Sequence, residues 1–176
     1  MSFYHVRGFT LIELLIVIAI IFITALTSFS HFQTTFANQE RKRVMSTLQY
    51  LLKQARSAAL IHHSNTVVCP SLNAKSCNSN DSAPWNSTLI VFLDKNSNRQ
   101  IDSGERVLLL ESLNLKYGQL DWRGTLHMPS ISFRASDGLA AGSNGSFYYC
   151  ANSLKDHQRL VLSAVSQMRV EDIVSC

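Results

Sequence analysis

Between Phe9 and Cys69 the chain contains neither glycine nor proline. A helix begun near the start of that run meets no residue that would stop it. From Phe9 to Phe29 the residues are apolar apart from Glu13 and a few Ser and Thr. About 20 such residues, rising about 1.5 Å each, span a bilayer core. The pattern then turns amphipathic. Val44, Leu48, Leu51, Leu52, Ala55 and Ala59 share one helical face, and basic residues mostly occupy the rest. The expectation is one long helix. Its first half, residues 9–30, lies in lipid. Its second half, residues 31–62, is an amphipathic stem packed on a globular body.

After His62-His63 the texture changes. NTVVC, STLIVFLD, RVLLLES, GQLDW, SISF, SFYYC and RLVLSAV are short β-branched or aromatic runs separated by Asn, Asp, Ser and Gly. Residues 63–176 are therefore expected to form an antiparallel β-sheet domain of about seven strands. Its apolar face would bury the stem stripe, giving an α+β fold. Residues 71–84 read as a polar loop.

The net charge is +4, and its distribution is uneven. Residues 61–176 hold ten Lys/Arg and ten Asp/Glu, whereas residues 38–60 hold five Lys/Arg against Glu40 alone. The surplus is on the stem, and the body shows no basic bias towards nucleic acid. All four cysteines, Cys69, Cys77, Cys150 and Cys176, lie in the body. An even number there suits two disulfides in an oxidising compartment. Three pairings are possible. The preferred one joins Cys69 to Cys77 across a short loop, and Cys150 to Cys176 at the C-terminus.

Glu13 is the anomaly of the apolar segment. A carboxylate inside a bilayer costs about 2.5–3.5 kcal/mol on insertion scales, and such groups are paired or functional. An ordinary secretory signal is cut after its apolar stretch; here the small residue, Gly8, precedes it. Cleavage after Gly8 would leave Phe9 as a free, cationic N-terminus and keep the helix. Glu13 of one subunit could then neutralise the N-terminus of a neighbour, offsetting its burial only on assembly.

The stretch RGFTLIELLIVIAII resembles the type IV prepilin signature at Gly8, Phe9, Thr10, Leu11, Ile12 and Glu13. The resemblance implies a leader over residues 1–8, a dedicated peptidase cutting between Gly8 and Phe9, methylation of Phe9, and an assembly role for Glu13. Ser30 stands near the place where many relatives carry proline. Arg7 before the helix and Arg41-Lys42-Arg43 beyond it would by a simple positive-inside count put the body in the cytoplasm. The triplet begins about a dozen residues past the apolar stretch, where that rule weakens. The cysteines and the signature point instead to a periplasmic body.

The segments LIVFLDKNSNRQIDSGERVLL, ISFRASDGLAAGSNGSFYYC and RLVLSAVSQMRV are similar to FimT/FimU minor pilins and their GspH pseudopilin relatives. This implies a type IV pilin-like fold and a structural role in a pilus, in a priming complex at its tip. It also implies a single-pass inner-membrane precursor whose body is periplasmic. Partners would be the prepilin peptidase/methylase, membrane lipid before assembly, the inner-membrane assembly platform, the major pilin and other minor pilins. A secretion pseudopilin and a DNA-uptake pilin are the alternatives. Some FimT proteins bind DNA through a GRxR motif. The aligned residues here are Ser166-Gln167-Met168-Arg169, which keep only Arg169 and lose the glycine, with an expected change in the turn. DNA binding by this chain alone is therefore not favoured.

Asp94, Asn96, Asn98, Gln100, Asp102 and Glu105 fall at positions 1, 3, 5, 7, 9 and 12 of a twelve-residue loop, the EF-hand calcium spacing. Position 6, where glycine permits the sharp turn, is Arg99, and the flanks read as strands. A hairpin turn is preferred over a calcium site, and no cofactor is expected. His62 and His63 suit a helix C-terminus, and Trp85 and Trp122 suit a core. No nucleophile or acid/base constellation appears, so no catalytic residue is expected.

Overall fold

The computed structural model describes residues 10–78, 85–140, 142–152 and 157–176, with the side chains of 25–33 excepted. Leader residues 1–8 and Phe9 lie outside these. Two compact units are present, Met1–Phe36 and Ala37–Cys176. One helix, α1 (Leu11–His62), contributes to both. It continues unbroken through Ser30.

In the first unit Thr10 caps the helix. Its Oγ1 lies 3.3 Å from the Glu13 N–H, and its carbonyl accepts the N–H groups of Glu13 and Leu14. The large apolar side chains from Leu11 to Ile23 stand 41–77% exposed. Among the described residues no helix is long and apolar enough to cross a membrane. Phe9 and the side chains of residues 25–29, which complete the apolar run, lie outside those residues.

In the second unit α1 ends at His62, and His63 takes the left-handed conformation (φ 48°) common just past a helix end. Eight strands follow: β1 (Asn65–Ser71), β2 (Thr88–Asp94), β3 (Val107–Ser112), β4 (Gly118–Gly124), β5 (Ile131–Phe133), β6 (Gly145–Ala151), β7 (His157–Leu162) and β8 (Met168–Ile173). They form two antiparallel four-stranded sheets, in the orders β3-β2-β1-β5 and β4-β6-β7-β8. The sequence suggested about seven strands in one sheet. The eighth, MRVEDI, is a charged edge strand with only partly buried side chains, so it carries a weak apolar signal.

The stem stripe is the centre of the core. Val44, Leu48, Leu51, Leu52, Ala55 and Ala59 are all buried, against Val68, Val91 and Phe133 of the first sheet and Trp122, Phe147, Tyr149 and Leu160 of the second. Burying a leucine of this kind contributes roughly 1.5–3 kcal/mol. β1 and β2 are buried on both faces. Val68, Leu89 and Val91 face the main core, while Val67, Cys69, Ile90 and Phe92 form a second cluster with Cys77. Double burial is why NTVVC and TLIVFLD read as continuous apolar runs rather than alternating ones. β4 alternates cleanly, with Leu120 and Trp122 buried and Gln119, Asp121 and Arg123 exposed.

Cys69 is bonded to Cys77 and Cys150 to Cys176, with Cα atoms 5.6 and 5.9 Å apart. The second bridge ties β6 to the chain beyond β8, two strands away in the sheet.

Candidate functional site

The N-terminal segment is the first candidate. Gly8 and Phe9, the expected cleavage and methylation site, lie outside the described residues. Glu13 is the third residue of α1, with its backbone N–H on Thr10. An acid in the first turn complements the helix dipole, for about 0.3–1 kcal/mol. Thr10 and Glu13 have capping-box spacing, an ordinary helix-starting role that the sequence reading missed. The exposed apolar residues around Glu13 form a surface that needs another apolar phase or helix to cover it.

The stem holds a second acid that sequence reasoning did not single out. Glu40 is buried. Its Oε2 accepts the Lys116 N–H at 2.8 Å, and its Oε1 accepts the Tyr117 N–H at 3.0 Å and the Tyr149 hydroxyl at 2.8 Å. Three donors make this burial tolerable. Burial, then the bond to Glu40, pushes the Tyr149 phenol above its ordinary pKa. Gly118 gives the ring its room, because a Cβ there would come within 2.5 Å of it. Beside this clamp Arg43 Nη2 donates to the Leu113 carbonyl at 2.5 Å. The available signal was position: Glu40 precedes Val44 and Leu48 at four-residue intervals, on the buried face.

The 94–105 loop is a dense turn. Asp94 accepts the N–H groups of Asn98 and Arg99 at 3.2 and 3.0 Å. The side-chain amides of Asn96 and Asn98 converge on Asp102 Oδ2 at 2.8 and 2.6 Å. Glu105 accepts from the N–H groups of Lys95 and Asp102 at 2.8 and 3.1 Å. The Gln100 N–H donates to Asn98 Oδ1 at 2.8 Å. Arg99 takes the left-handed conformation (φ 61°) without being glycine. Its guanidinium reaches the Ser130 carbonyl at 3.2 Å and Ser143 Oγ at 3.1 Å, which holds the turn against two other loops. Among the described residues no group of three or more His, Cys, Asp or Glu is placed to hold a metal.

At the other candidate, Ser166 also takes the left-handed region (φ 61°). Serine here takes a backbone conformation that glycine adopts more readily. Its buried hydroxyl accepts the Ala140 N–H at 2.8 Å and donates to the Gly138 carbonyl at 3.0 Å. Arg169 points to solvent on β8 and pairs with Glu171 Oε1 at 2.5 Å. Arg159 binds the other oxygen of Glu171 and is the main reason its carboxyl lies below the usual range. Arg169 thus lies in a row of paired charges on the second sheet, where Arg159 and Arg169 share Glu171, with Asp121–Arg123 nearby and the Arg123 guanidinium 4.2 Å from the Tyr148 ring centre.

Trp85 and Trp122 are core residues around Phe147, at centroid distances of 4.9 and 4.5 Å. Trp122 Nε1 donates to the Met128 carbonyl at 3.1 Å.

Residues 4–29 match the prokaryotic N-terminal methylation motif, and residues 45–166 match the family described as type II transport protein GspH. No curated protein matches the chain. Among solved structures, the type IV minor pilin FimU of Pseudomonas aeruginosa is similar over 79% of this chain and 96% of its own, with a TM-score of 0.55 at 15% identity. The minor pseudopilin EpsH from the type 2 secretion system of Vibrio cholerae covers 76% and is itself covered over 97%, with a TM-score of 0.51 at 10% identity. At these identities the likeness is one of fold: a pilin-like helix followed by antiparallel sheets. The family match takes in the buried stem stripe from Met45 onwards and the strands from β1 to β7. With its methylation motif joined by α1 to that body, the chain belongs to the GspH family.

Proposed function

We propose that this protein is a minor-pilin subunit of a type IV filament, placed in the priming complex at the tip. The observation that carries this is the junction of a methylation motif with a GspH body through one unbroken helix. In this reading the precursor sits in the inner membrane through residues 9–30, with residues 63–176 in the periplasm. A peptidase cuts between Gly8 and Phe9 and methylates Phe9. Glu13 then meets the N-terminus of a neighbouring subunit as the apolar helix passes from lipid into the filament core. Assembly platform, major pilin and other minor pilins are its partners. Its work is structural, without cofactor or catalysis. The two disulfides suit an oxidising periplasm.

The test uses the full chain in its own bacterium. Filaments sheared from the cells should contain it, with an N-terminal peptide that begins at N-methylated Phe9. A chain that keeps residues 1–8, or stays wholly in the membrane fraction of piliated cells, would refute the proposal. A second reading, a secretion pseudopilin, is favoured by the type II transport description of the family. Deletion separates the two: loss of pili supports the first, and loss of protein secretion with pili intact supports the second. DNA capture is disfavoured because Arg169 is the one arginine of the GRxR pattern that this chain keeps, and it already pairs with Glu171.

A further inference from the structure

The two disulfides stand in different surroundings. Cys69 is 0% exposed and Cys77 8%. Both pack in the second cluster with Val67, Ile90 and Phe92. The loop that carries Cys77 is folded back on the sheet. Asn73 Oδ1 accepts the Lys75 and Ser76 N–H groups at 2.9 and 3.0 Å, and the Asn78 N–H donates to the Pro70 carbonyl at 2.8 Å. Cys150, by contrast, is only partly buried. Cys176 lies in an exposed stretch beyond β8, where Val174 is 89% exposed.

The two halves of the second bridge also differ from each other. Cys150 sits within β6, paired with Gln119 of β4. The next N–H, that of Ala151, donates to His157 Nδ1 at 3.1 Å. Cys150 is thus held from both sides. Cys176 follows the last strand and joins no ladder among the described residues. β8 has ties besides the bridge. It pairs with β7 from Met168 to Ile173, Met168 and Val170 pack on the core, and Glu171 and Asp172 bind Arg159 and Gln158.

We infer that Cys150–Cys176 is a thiol–disulfide exchange site on the folded body, open to dithiol reductants and dithiol–disulfide oxidoreductases, and that Cys69–Cys77 is closed to them. Exchange needs an incoming thiolate to reach one sulfur of the bond it breaks, so access sets the rate. The thiolate attacks Sγ of Cys176, the exposed partner. A new S–S bond forms there as the old one breaks. Sγ of Cys150 leaves with the electron pair as a thiolate and takes up a proton. The second thiolate of the dithiol then attacks the reagent's own sulfur in the mixed disulfide. The reagent closes to a cyclic disulfide, and Cys176 leaves as a thiolate that is protonated in turn. Two electrons pass from the dithiol to the bridge. Opening frees the chain beyond Ile173 and leaves both sheets paired. The site stands on the body alone, whichever filament the chain joins.

The test is limited reduction of the full-length protein in detergent. Dithiothreitol is applied at mildly alkaline pH for increasing times. The reaction is stopped with acid, free thiols are alkylated, and the four cysteine peptides are quantified by mass spectrometry. Cys150 and Cys176 should be alkylated at least about tenfold faster than Cys69 and Cys77. With glutathione, a monothiol, the trapped adduct should be on Cys176 and the alkylated thiol on Cys150. In guanidinium chloride the preference should vanish, because the fold creates it. Amide exchange of the selectively reduced protein should leave β7 and β8 protected. Equal opening of the two bridges, or opening of Cys69–Cys77 first, would overturn the inference. So would a preference that survives in denaturant, since local sequence would then be its cause. Loss of protection in β7 and β8 would mean that the bridge opens by unfolding, and a glutathione adduct on Cys150 would reverse the direction of attack; either result sinks the exchange site as described.

Discussion

The hydroxyl of Tyr149 on β6 donates to the carboxylate of Glu40 on α1 at 2.8 Å, across 109 positions of sequence. Both groups are buried, and Glu40 also holds the backbone at Lys116 and Tyr117. One acid thus fixes the stem helix to the start of β4 and to the middle of the second sheet.

Alkaline titration tests this bond. The Tyr149 phenol is raised from its ordinary 10.0 by burial first and by Glu40 second. A pKa raised on folding favours the protonated native form. Its contribution is complete below about pH 10 and is lost as pH rises beyond that. Tyr149→Phe should cost about 1.5–3 kcal/mol at pH 8. Thermal melts from pH 8 to 11 should also show a shallower alkaline loss than in the wild type. Parallel curves would mean that the phenol does not carry this pH dependence.

The Cys150–Cys176 bridge closes a loop with a sequence separation of 26, against 8 for Cys69–Cys77. Loop-closure entropy gives about 3.5 and about 2.5 kcal/mol respectively. Replacing Cys150 and Cys176 by serine should therefore lower the denaturation midpoint more than replacing Cys69 and Cys77. The reverse order would show that the packing of the 71–78 loop on the second cluster outweighs chain entropy.

Arg99 holds the 94–105 turn through Ser130 and Ser143. Arg99→Ala should destabilise the body by about 1.5–3 kcal/mol, as for hydrogen bonds from a charged donor. Amide NMR of the wild type should show no shifts in this turn at millimolar calcium, because its carboxylates are already occupied by N–H groups. Calcium-dependent shifts confined to residues 94–105 would make the turn a cation site.

Glu13→Val should leave membrane insertion and cleavage largely intact and deplete the chain from sheared filaments. Loss of a favourable first-turn charge, about 0.3–1 kcal/mol, is too small for that effect. Thr10→Ala supplies the control, since it removes the cap and keeps the acid. Equal incorporation defects in the two variants would reduce Glu13 to a helix-starting residue.

The sequence by itself determined the elements whose signals are local. The absence of glycine and proline after Phe9 and the stripe from Val44 to Ala59 marked one long helix with one buried face, and α1 runs from Leu11 to His62. The GFTLIE motif marked the N-terminus, and apolar runs marked seven of the eight strands. Tertiary structure alone decided how those strands divide between two sheets, because pairings such as β1 with β5 join residues more than sixty positions apart. It also decided the fate of single polar residues. Glu40 resembles any stem acid until Lys116, Tyr117 and Tyr149 are brought to it, and Glu171 has only its strand neighbour Arg169 until β7 sets Arg159 beside it. Periodicity reports which side of an element is apolar. The partner of a buried charge is fixed only when distant segments meet.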